Sequence, residues 1–97
     1  MEAALKALSD PGRRRILTLV RDEERSAGEI AAEFTVTWPA VSQHLRVLKD
    51  AGLVTERRDG AKRLYRARPE GLDEVRDFLD AFWSDGLERL KREVERG

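Results

Sequence analysis

The sequence predicts a mainly α-helical fold with one small β-hairpin, in the order α-α-α-α-β-β-α. Apolar residues recur at spacings of four and three over residues 38–51, which is the pattern of a helix with one buried face. Two basic segments then flank Asp59-Gly60, a dipeptide that suits a tight type I′ hairpin turn. A longer apolar pattern over residues 69–94 predicts a final helix. The hairpin therefore lies between two amphipathic helices.

The first two predicted helices meet at Asp10-Pro11. Alanine and leucine predict a short helix over about residues 2–8. Asp10 can cap the second helix, and proline is tolerated in its first turn, so this helix extends to about Arg21. Three arginines, residues 13–15, crowd its first turn, where the helix dipole disfavours cations. We expect an anion, a carboxylate or a phosphate, beside them.

The third and fourth predicted helices form a helix-turn-helix pair. The segment Ser26-Ala27-Gly28-Glu29 matches a capping box, which opens the third helix. Thr37 can cap the fourth helix, Pro39 is tolerated in its first turn, and Gly52 can close it in the left-handed conformation. In such a pair the first helix braces the second, which can enter the major groove of DNA.

The exposed face of the fourth helix is polar. It lies opposite the apolar stripe of Val41, Leu45 and Leu48. Gln43 and Arg46 on this face can form hydrogen bonds with base edges, and a helix fits the major groove. The residues predicted on this face are Trp38, Ser42, Gln43, Arg46 and Lys49.

Charge is distributed unevenly along the chain. Basic and acidic residues balance at 19 each. Residues 57–68 nevertheless carry six basic side chains and one acidic, a net of +5, whereas residues 70–88 carry seven acidic and one basic, a net of −6. A local basic ridge attracts a polyanion. The predicted partner is therefore double-stranded DNA, despite the zero formal charge.

Length and composition predict one domain over residues 1–97 and exclude several kinds of site. Domains of about 100–150 residues are usual, and no Gly/Ser/Pro-rich linker divides this chain. There is no cysteine, which excludes disulfides, thiolate metal sites and cysteine nucleophiles. Neither a leader-like start nor 18 consecutive apolar residues occur. We therefore expect a cytoplasmic protein without a membrane partner.

The final helix, with the first helix beside it, is the predicted contact of a homodimer. A helix of about 25 residues is about 37 Å long, more than this small domain can cover, and small domains leave much apolar surface exposed. The aromatic residues of the final helix, Phe78, Phe82 and Trp83, could instead line a small-molecule pocket, although an aromatic stripe at helical spacing is more often part of a buried core. The predicted interface residues are Leu5, Leu8, Phe78, Phe82, Trp83 and Leu90.

Four motifs follow one another along the chain: LSDPGRRRIL at residues 8–17, AVSQHLRVL at 40–48, AGLV at 51–54 and LYR at 64–66. With them the chain resembles, over essentially its full length, the ArsR family of small bacterial winged-helix repressors. The resemblance implies a homodimer that blocks transcription by binding an imperfect inverted repeat, with the fourth helices in successive major grooves and the hairpins, or wings, along the flanking backbone. Its implied contacts are Trp38, Ser42, Gln43 and Arg46 with bases or nearby phosphates, and Arg58, Lys62 and Arg63 with phosphate or the minor groove.

The sequence departs from the metal-sensing pattern of that family. Its third helix contains no cysteine pair, and its last helix contains no histidine. Asp73, Asp77 and Asp80 alone are poor ligands for zinc-like ions, so we interpret them as a solvated stripe in which Arg76 pairs with Asp80. The sequence thus predicts a metal-independent repressor with no cofactor, and it leaves any inducer unidentified.

Trp38 and His44 each allow two interpretations. Trp38 could contact a sugar or a thymine methyl, or cover the junction with the third helix. His44 is expected to be a structural residue rather than a ligand or base, because Ser42 lies about 200° away around the helix. No catalytic constellation emerges, so an enzyme is not predicted. Two alternative hypotheses are a winged-helix module that binds another protein and a repressor that responds to an unidentified small-molecule effector.

Overall fold

The computed structural model describes residues 1–96, and the side chains of all of these except residues 85, 87 and 96. The mainly helical fold with a small hairpin, which the sequence predicts, is confirmed. Its elements are α1 (Glu2–Leu8), α2 (Pro11–Leu19), β1 (Arg25–Ser26), α3 (Ala27–Ala32), α4 (Trp38–Asp50), β2 (Val54–Asp59), β3 (Lys62–Ala67), a 3₁₀ turn (Pro69–Leu72) and α5 (Asp73–Arg96).

Strand β1 is absent from the predicted order. It pairs antiparallel with β3, placing Arg25 opposite Tyr65 and Ser26 opposite Leu64, so the sheet has the order β1-β3-β2. Two residues are too few to show the alternation that identifies a strand in a sequence. The pairing with β3, which is remote in the chain, therefore determines this element.

The hairpin turn differs from the predicted type I′ turn at Asp59-Gly60. Asp59 pairs with Lys62, so the two central residues of the turn are Gly60 and Ala61. Gly60 has a φ of 63°, and no non-glycine residue among residues 1–96 has a positive φ. A type I′ turn requires positive φ at both central residues, whereas a type II′ turn requires it only at the first. The turn thus has the φ signs of type II′.

The predicted helix caps are confirmed. Asp10 accepts the backbone N–H of Arg13 at 3.1 Å, and Ser26 and Glu29 form both hydrogen bonds of a capping box. Thr37 Oγ1 accepts a backbone N–H from the first turn of α4 at 3.4 Å. These caps begin α2, α3 and α4 at the predicted places, because each satisfies a backbone N–H that lacks a partner within its helix.

Backbone carbonyl groups accept hydrogen bonds from the guanidinium groups of two of the three arginines of α2, and the expected carboxylate, that of Asp10, lies at the start of the same helix. Arg13 Nε donates to Ala7 O at 2.7 Å and its Nη2 to Lys6 O at 3.0 Å. Arg14 Nη1 donates to Leu8 O at 2.7 Å. The last carbonyl groups of a helix carry partial negative charge and lack intrahelical donors. The end of α1 therefore relieves the crowding of cations that the sequence predicts.

The core lies under α4. The predicted apolar stripe of Val41, Leu45 and Leu48 is buried, and residues in or next to α1, α2, α3, β2 and β3 complete the core around it. This packing fixes which face of α4 is exposed. The buried core residues are Ala4, Ala7, Ile16, Val20, Ile30, Val41, Leu45, Leu48, Leu53, Val54 and Tyr65.

The apolar pattern predicts one continuous helix that begins at Pro69. The structure differs from this prediction. A 3₁₀ turn over Pro69–Leu72 precedes α5. In this turn Gly71 lies so close to the carbonyl group of Gly52 that a Cβ atom at Gly71 would overlap it. Gly52 itself has a φ of 75°, which favours glycine. This close approach requires glycine at position 71 and fixes the 3₁₀ turn against the end of α4, just before α5 begins.

Most of α5 extends away from the core. Val75 still packs against the core, but Phe78, Phe82 and Trp83 are 57%, 67% and 70% exposed. The domain measures 64 × 25 × 22 Å along its principal axes. Among residues 1–96, no helix is both long enough and apolar enough to cross a membrane.

Candidate nucleic-acid interface

The exposed face of α4 carries the predicted polar residues. Ser42, Gln43 and Arg46 are exposed, while the opposite face of α4 is buried. Gln43 and Arg46 are three residues apart, so they lie on one stripe of the helix. The predicted position of these side chains is therefore confirmed, and their contact with bases stays a prediction.

The wing, defined as residues 54–67, lies beside that face. Ser42, Arg46 and Arg63 line one cleft of about 410 Å³ between α4 and the wing. A second crevice of about 440 Å³ is lined by Trp38 and Ser42 of α4 and by Lys62 and Arg63 of β3. The fold thus brings five of the seven predicted contact residues together. The remaining two, Gln43 and Arg58, are exposed but do not line these clefts.

Arg58 belongs to the same face of the wing as Arg63. The strand register places Arg58 opposite Arg63 and Glu56 opposite Tyr65. Residues two apart on a strand share a face, so these four side chains lie on one side of the hairpin. Two like charges directly opposite each other repel. An anionic partner nearby stabilises this pairing.

That partner is Glu56, which the sequence reasoning missed. Its carboxylate lies 3.6 Å from Lys49 Nζ of α4 and 3.8 Å from Arg63 Nη1 of β3, with its side chain 20% exposed. Burial and, next, the Glu56 carboxylate raise the pKa of the Tyr65 hydroxyl. The only sequence signal for this cluster is the alternation along β2, which places Glu56 on the same face as Arg58.

Arg57 anchors the wing to another part of the chain, and its charge is paired rather than available to DNA. Arg57 donates from Nε and Nη2 to the two carboxylate oxygens of Glu24, at 2.7 and 2.9 Å. This hydrogen bonding holds the pKa of Glu24 below its ordinary value. A two-point bond of this geometry fixes orientation as well as charge. It therefore ties β2 to the segment between α2 and β1, a contact that the charge pattern alone could not reveal.

His44 has a structural environment, as expected. Its Nε2 lies 3.7 Å from Asp10 Oδ2, and its Nδ1 lies 3.4 Å from Arg13 Nη1. The backbone N–H of Arg13 and, to a smaller degree, the charge of His44 hold the pKa of Asp10 below its ordinary value. A Cβ atom at Gly12 would lie 3.3 Å from His44 Nε2, so glycine gives the ring room. His44 thus joins α4 to the start of α2.

Trp38 packs against the start of α3. A Cβ atom at Gly28 would lie 3.7 Å from Trp38 Cζ2, so the indole covers this junction. The residue is nevertheless 56% exposed. The structural interpretation of Trp38 is therefore supported, and its second face is free to meet another molecule.

Comparison with known proteins agrees with this geometry. Residues 10–56, from the cap of α2 into β2, match the family described as bacterial regulatory protein, arsR family. The chain is 43% identical over 86 residues to HTH-type transcriptional regulator Rv2034 of Mycobacterium tuberculosis, covering 89% of this chain and 80% of that protein. The chain belongs to the arsR family. It is therefore a DNA-binding transcriptional regulator and not an enzyme.

Two further relatives of this arsR-family chain extend the match beyond α4 and the wing. The arsenical resistance operon repressor of Staphylococcus aureus is 36% identical over 97 residues, covering all of this chain and 93% of the repressor. A solved structure of a possible transcriptional regulator for arsenical resistance is 45% identical, with a TM-score of 0.74 over 92% of this chain and 93% of its own. The similarity thus includes α1 and much of α5.

The acidic residues of α5 in this arsR-family chain pair differently from the prediction. Arg76 Nη2 lies 3.7 Å from both Asp73 Oδ1 and Asp77 Oδ1, so the predicted pairing with Asp80 is wrong. The aspartates are exposed, as a solvated stripe requires. Within the part of the chain that the structure describes, no three acidic or histidine side chains come together in a group that could hold a metal ion.

Proposed function

We propose that this chain is a metal-independent repressor that binds an inverted-repeat operator as a homodimer. The observation that carries the proposal is the shared face of α4 and the wing, on which Ser42, Arg46 and Arg63 line one cleft. A helix that enters the major groove and a cationic hairpin beside it have the geometry of a DNA reader.

Base reading is assigned to Gln43 and Arg46, and phosphate contacts to the wing. Gln43 and Arg46 form one exposed stripe, and arginine and glutamine can each form two hydrogen bonds with a base edge. Arg58, Lys62 and Arg63 extend this surface outward on β2 and β3, where a cation can reach the backbone beside the groove. Trp38 lies at the start of α4 and would contact the edge of the groove.

Exposed apolar residues on α5 support the homodimer. Leu79, Phe82, Trp83 and Leu90 are between 55% and 70% exposed, and a contiguous apolar surface of this kind marks an interaction site. Leu5 of α1 is 43% exposed and can join it. Leu8 packs partly against the core of its own chain, so it can contribute only part of its side chain to such an interface.

Metal independence is supported by the donor atoms that the chain lacks. The chain contains no cysteine, and its single histidine, His44, lies in α4. His44 is engaged with Asp10 and Arg13. Carboxylates alone suit hard cations rather than zinc-like or thiophilic ions. Similarity to a repressor named for arsenical resistance therefore does not make this chain a sensor of arsenicals.

Selection of bound duplexes from a random library tests the operator directly. We expect an inverted repeat whose half-site centres are about 10 base pairs, one helical turn, or a multiple of it apart. Affinity for the selected duplex should fall by about 10³-fold or more between about 50 and 200 mM salt, because about 6 to 10 phosphates are neutralised.

A control variant and two possible outcomes distinguish DNA binding from a protein-binding module. Arg21→Ala removes an exposed cation that pairs with Asp22 and lines neither of the two clefts between α4 and the wing, so it should leave DNA affinity unchanged. If the selection enriches no common DNA sequence, or if affinity does not change with salt, the proposal is contradicted and the protein-binding alternative is favoured.

A further inference from the structure

The cleft between α4 and the wing contains an anion where a DNA reader needs cations. Glu56 projects into this cleft, which Arg46, Lys49 and Arg63 also line. Its carboxylate lies 3.6 Å from Lys49 Nζ and 3.8 Å from Arg63 Nη1. It therefore offsets part of the positive charge of the surface proposed to meet DNA.

We infer that Glu56 is a specificity-determining residue, which lowers the affinity for non-operator DNA more than the affinity for the operator. The inference rests on the proposed function. Affinity for non-operator DNA comes almost entirely from phosphates neutralised by lysine and arginine. A cation that is already paired with Glu56 must give up that partner before it can neutralise a phosphate.

The position of Lys49 explains why the two kinds of complex differ. Lys49 follows Trp38 by 11 positions in α4, so it lies about 16 Å along the helix from the end that enters the groove. The operator complex fixes α4 by its first turns and leaves Lys49 at a distance from the bases. A non-operator complex has no single docking geometry and samples the whole cationic surface. The pairing of Glu56 with Lys49 thus weakens the non-operator complex more than the operator complex.

The surroundings of Glu56 show that its position is fixed by the fold. It is directly opposite Tyr65 in the sheet, and Tyr65 is a core residue that is 7% exposed. The pKa of the Tyr65 hydroxyl is raised by burial and by the Glu56 carboxylate, and Arg63 lowers it. The carboxylate, the hydroxyl and the guanidinium therefore form one cluster between α4 and β3.

Glu56→Gln tests the inference in the full-length chain, since glutamine keeps the shape of the side chain and removes its charge. Affinities are measured for the selected operator and for a scrambled duplex of equal length, between about 50 and 200 mM salt. Each cation released steepens the logarithmic salt slope by about 0.9. The scrambled duplex should bind about 3- to 10-fold more tightly per chain at about 100 mM salt, with a smaller gain for the operator.

Asp22→Asn is the matched control, because it makes the same charge change and frees Arg21 from its ion pair outside the cleft that Glu56 lines. It should leave both affinities unchanged. A double-mutant cycle with Lys49→Gln keeps the test valid if Glu56→Gln perturbs the cleft. Lys49→Gln alone should leave the salt slope for the scrambled duplex unchanged, whereas in the Glu56→Gln background it should reduce the slope by about 0.9.

The outcomes separate the two proposals. Salt-dependent binding by the native chain, together with an unchanged slope and an unchanged ratio of affinities in Glu56→Gln, overturns the role of Glu56 alone. An equal gain for operator and scrambled duplexes also overturns it. Native binding that is absent or insensitive to salt overturns the proposed function and this inference together.

Discussion

Helices α4 and α5 both expose side chains to solvent, but the exposed side chains differ in chemistry. The buried stripe of α4 packs on the core of its own chain, and its exposed residues include Gln43 and Arg46. On α5 the apolar residues themselves are exposed, including Phe82 at 67% and Trp83 at 70%. Within one chain the apolar residues of α4 are therefore already buried, whereas the exposed apolar residues of α5 need a partner to cover them.

This difference separates what one chain does alone from what it does as an assembly. A folded chain can position Gln43 and Arg46 correctly because Val41, Leu45 and Leu48 anchor α4. Two such helices reach successive major grooves only if something fixes their separation. In the proposed homodimer that element is α5, so substitutions on the two helices should fail in different ways.

The largest expected effect comes from Trp83→Glu. A charge placed in an apolar contact between two chains would lie unpaired and desolvated, so we expect a monomer and a loss of operator affinity of at least about 100-fold. The reason for the loss is that two half-sites must then be bound independently. Sedimentation equilibrium gives the mass, and a titration with operator duplex gives the affinity.

Glu88→Ala is the control for that substitution, since it is exposed on the same helix and lies about 140° around it from Trp83. It should remain a dimer with native affinity. A dimeric Trp83→Glu chain would show that α5 does not form the contact, and the comparison between the two helices would then be wrong.

An effect of intermediate size is expected on α4, where Arg46→Ala should change specificity. Loss of a two-point contact with a base costs about 1–3 kcal/mol at the base pair concerned. The variant should therefore lose discrimination at particular operator positions while it remains a dimer. Competition with duplexes that carry single base-pair changes measures this directly.

Lys62→Ala supplies the contrast, because Lys62 lies on β3 at the edge of the second crevice and is assigned to phosphate. It should weaken binding to all duplexes equally and reduce the salt slope by about 1. Uniform losses in both variants would show that Arg46 does not read bases.

Elements marked by local chemistry could be predicted from the sequence. Asp10, Ser26 and Thr37 cap their helices where expected, because a cap depends on residues within one turn. Strand β1 and the 3₁₀ turn before α5 were missed, since each depends on a contact remote in sequence. Ser26 pairs with Leu64, and Gly71 approaches Gly52.

The candidate site divides in the same way. Exposure of Ser42, Gln43 and Arg46 follows from helical periodicity, which the sequence displays directly. Counting charges could not show which cations of the wing are already paired. Two ion pairs, Arg57 with Glu24 and Arg63 with Glu56, each join residues that lie in different elements or strands. Only the folded structure brings these opposite charges together.

The smallest expected effect concerns the ion pair that anchors the wing. Arg57 holds the pKa of Glu24 below its ordinary value, so the folded chain binds this proton less readily than the unfolded chain. The stabilisation is therefore present above the pKa of an unfolded glutamate, about 4.3, and is lost as the pH falls below it. Glu24→Gln removes the titrating group, so its thermal midpoint should lie below that of the native chain at pH 7 and converge with it as the pH falls below the pKa of Glu24 in the folded chain. A gap that stays constant with pH would show that Glu24 acts through packing alone, and charge would then not hold the wing in place.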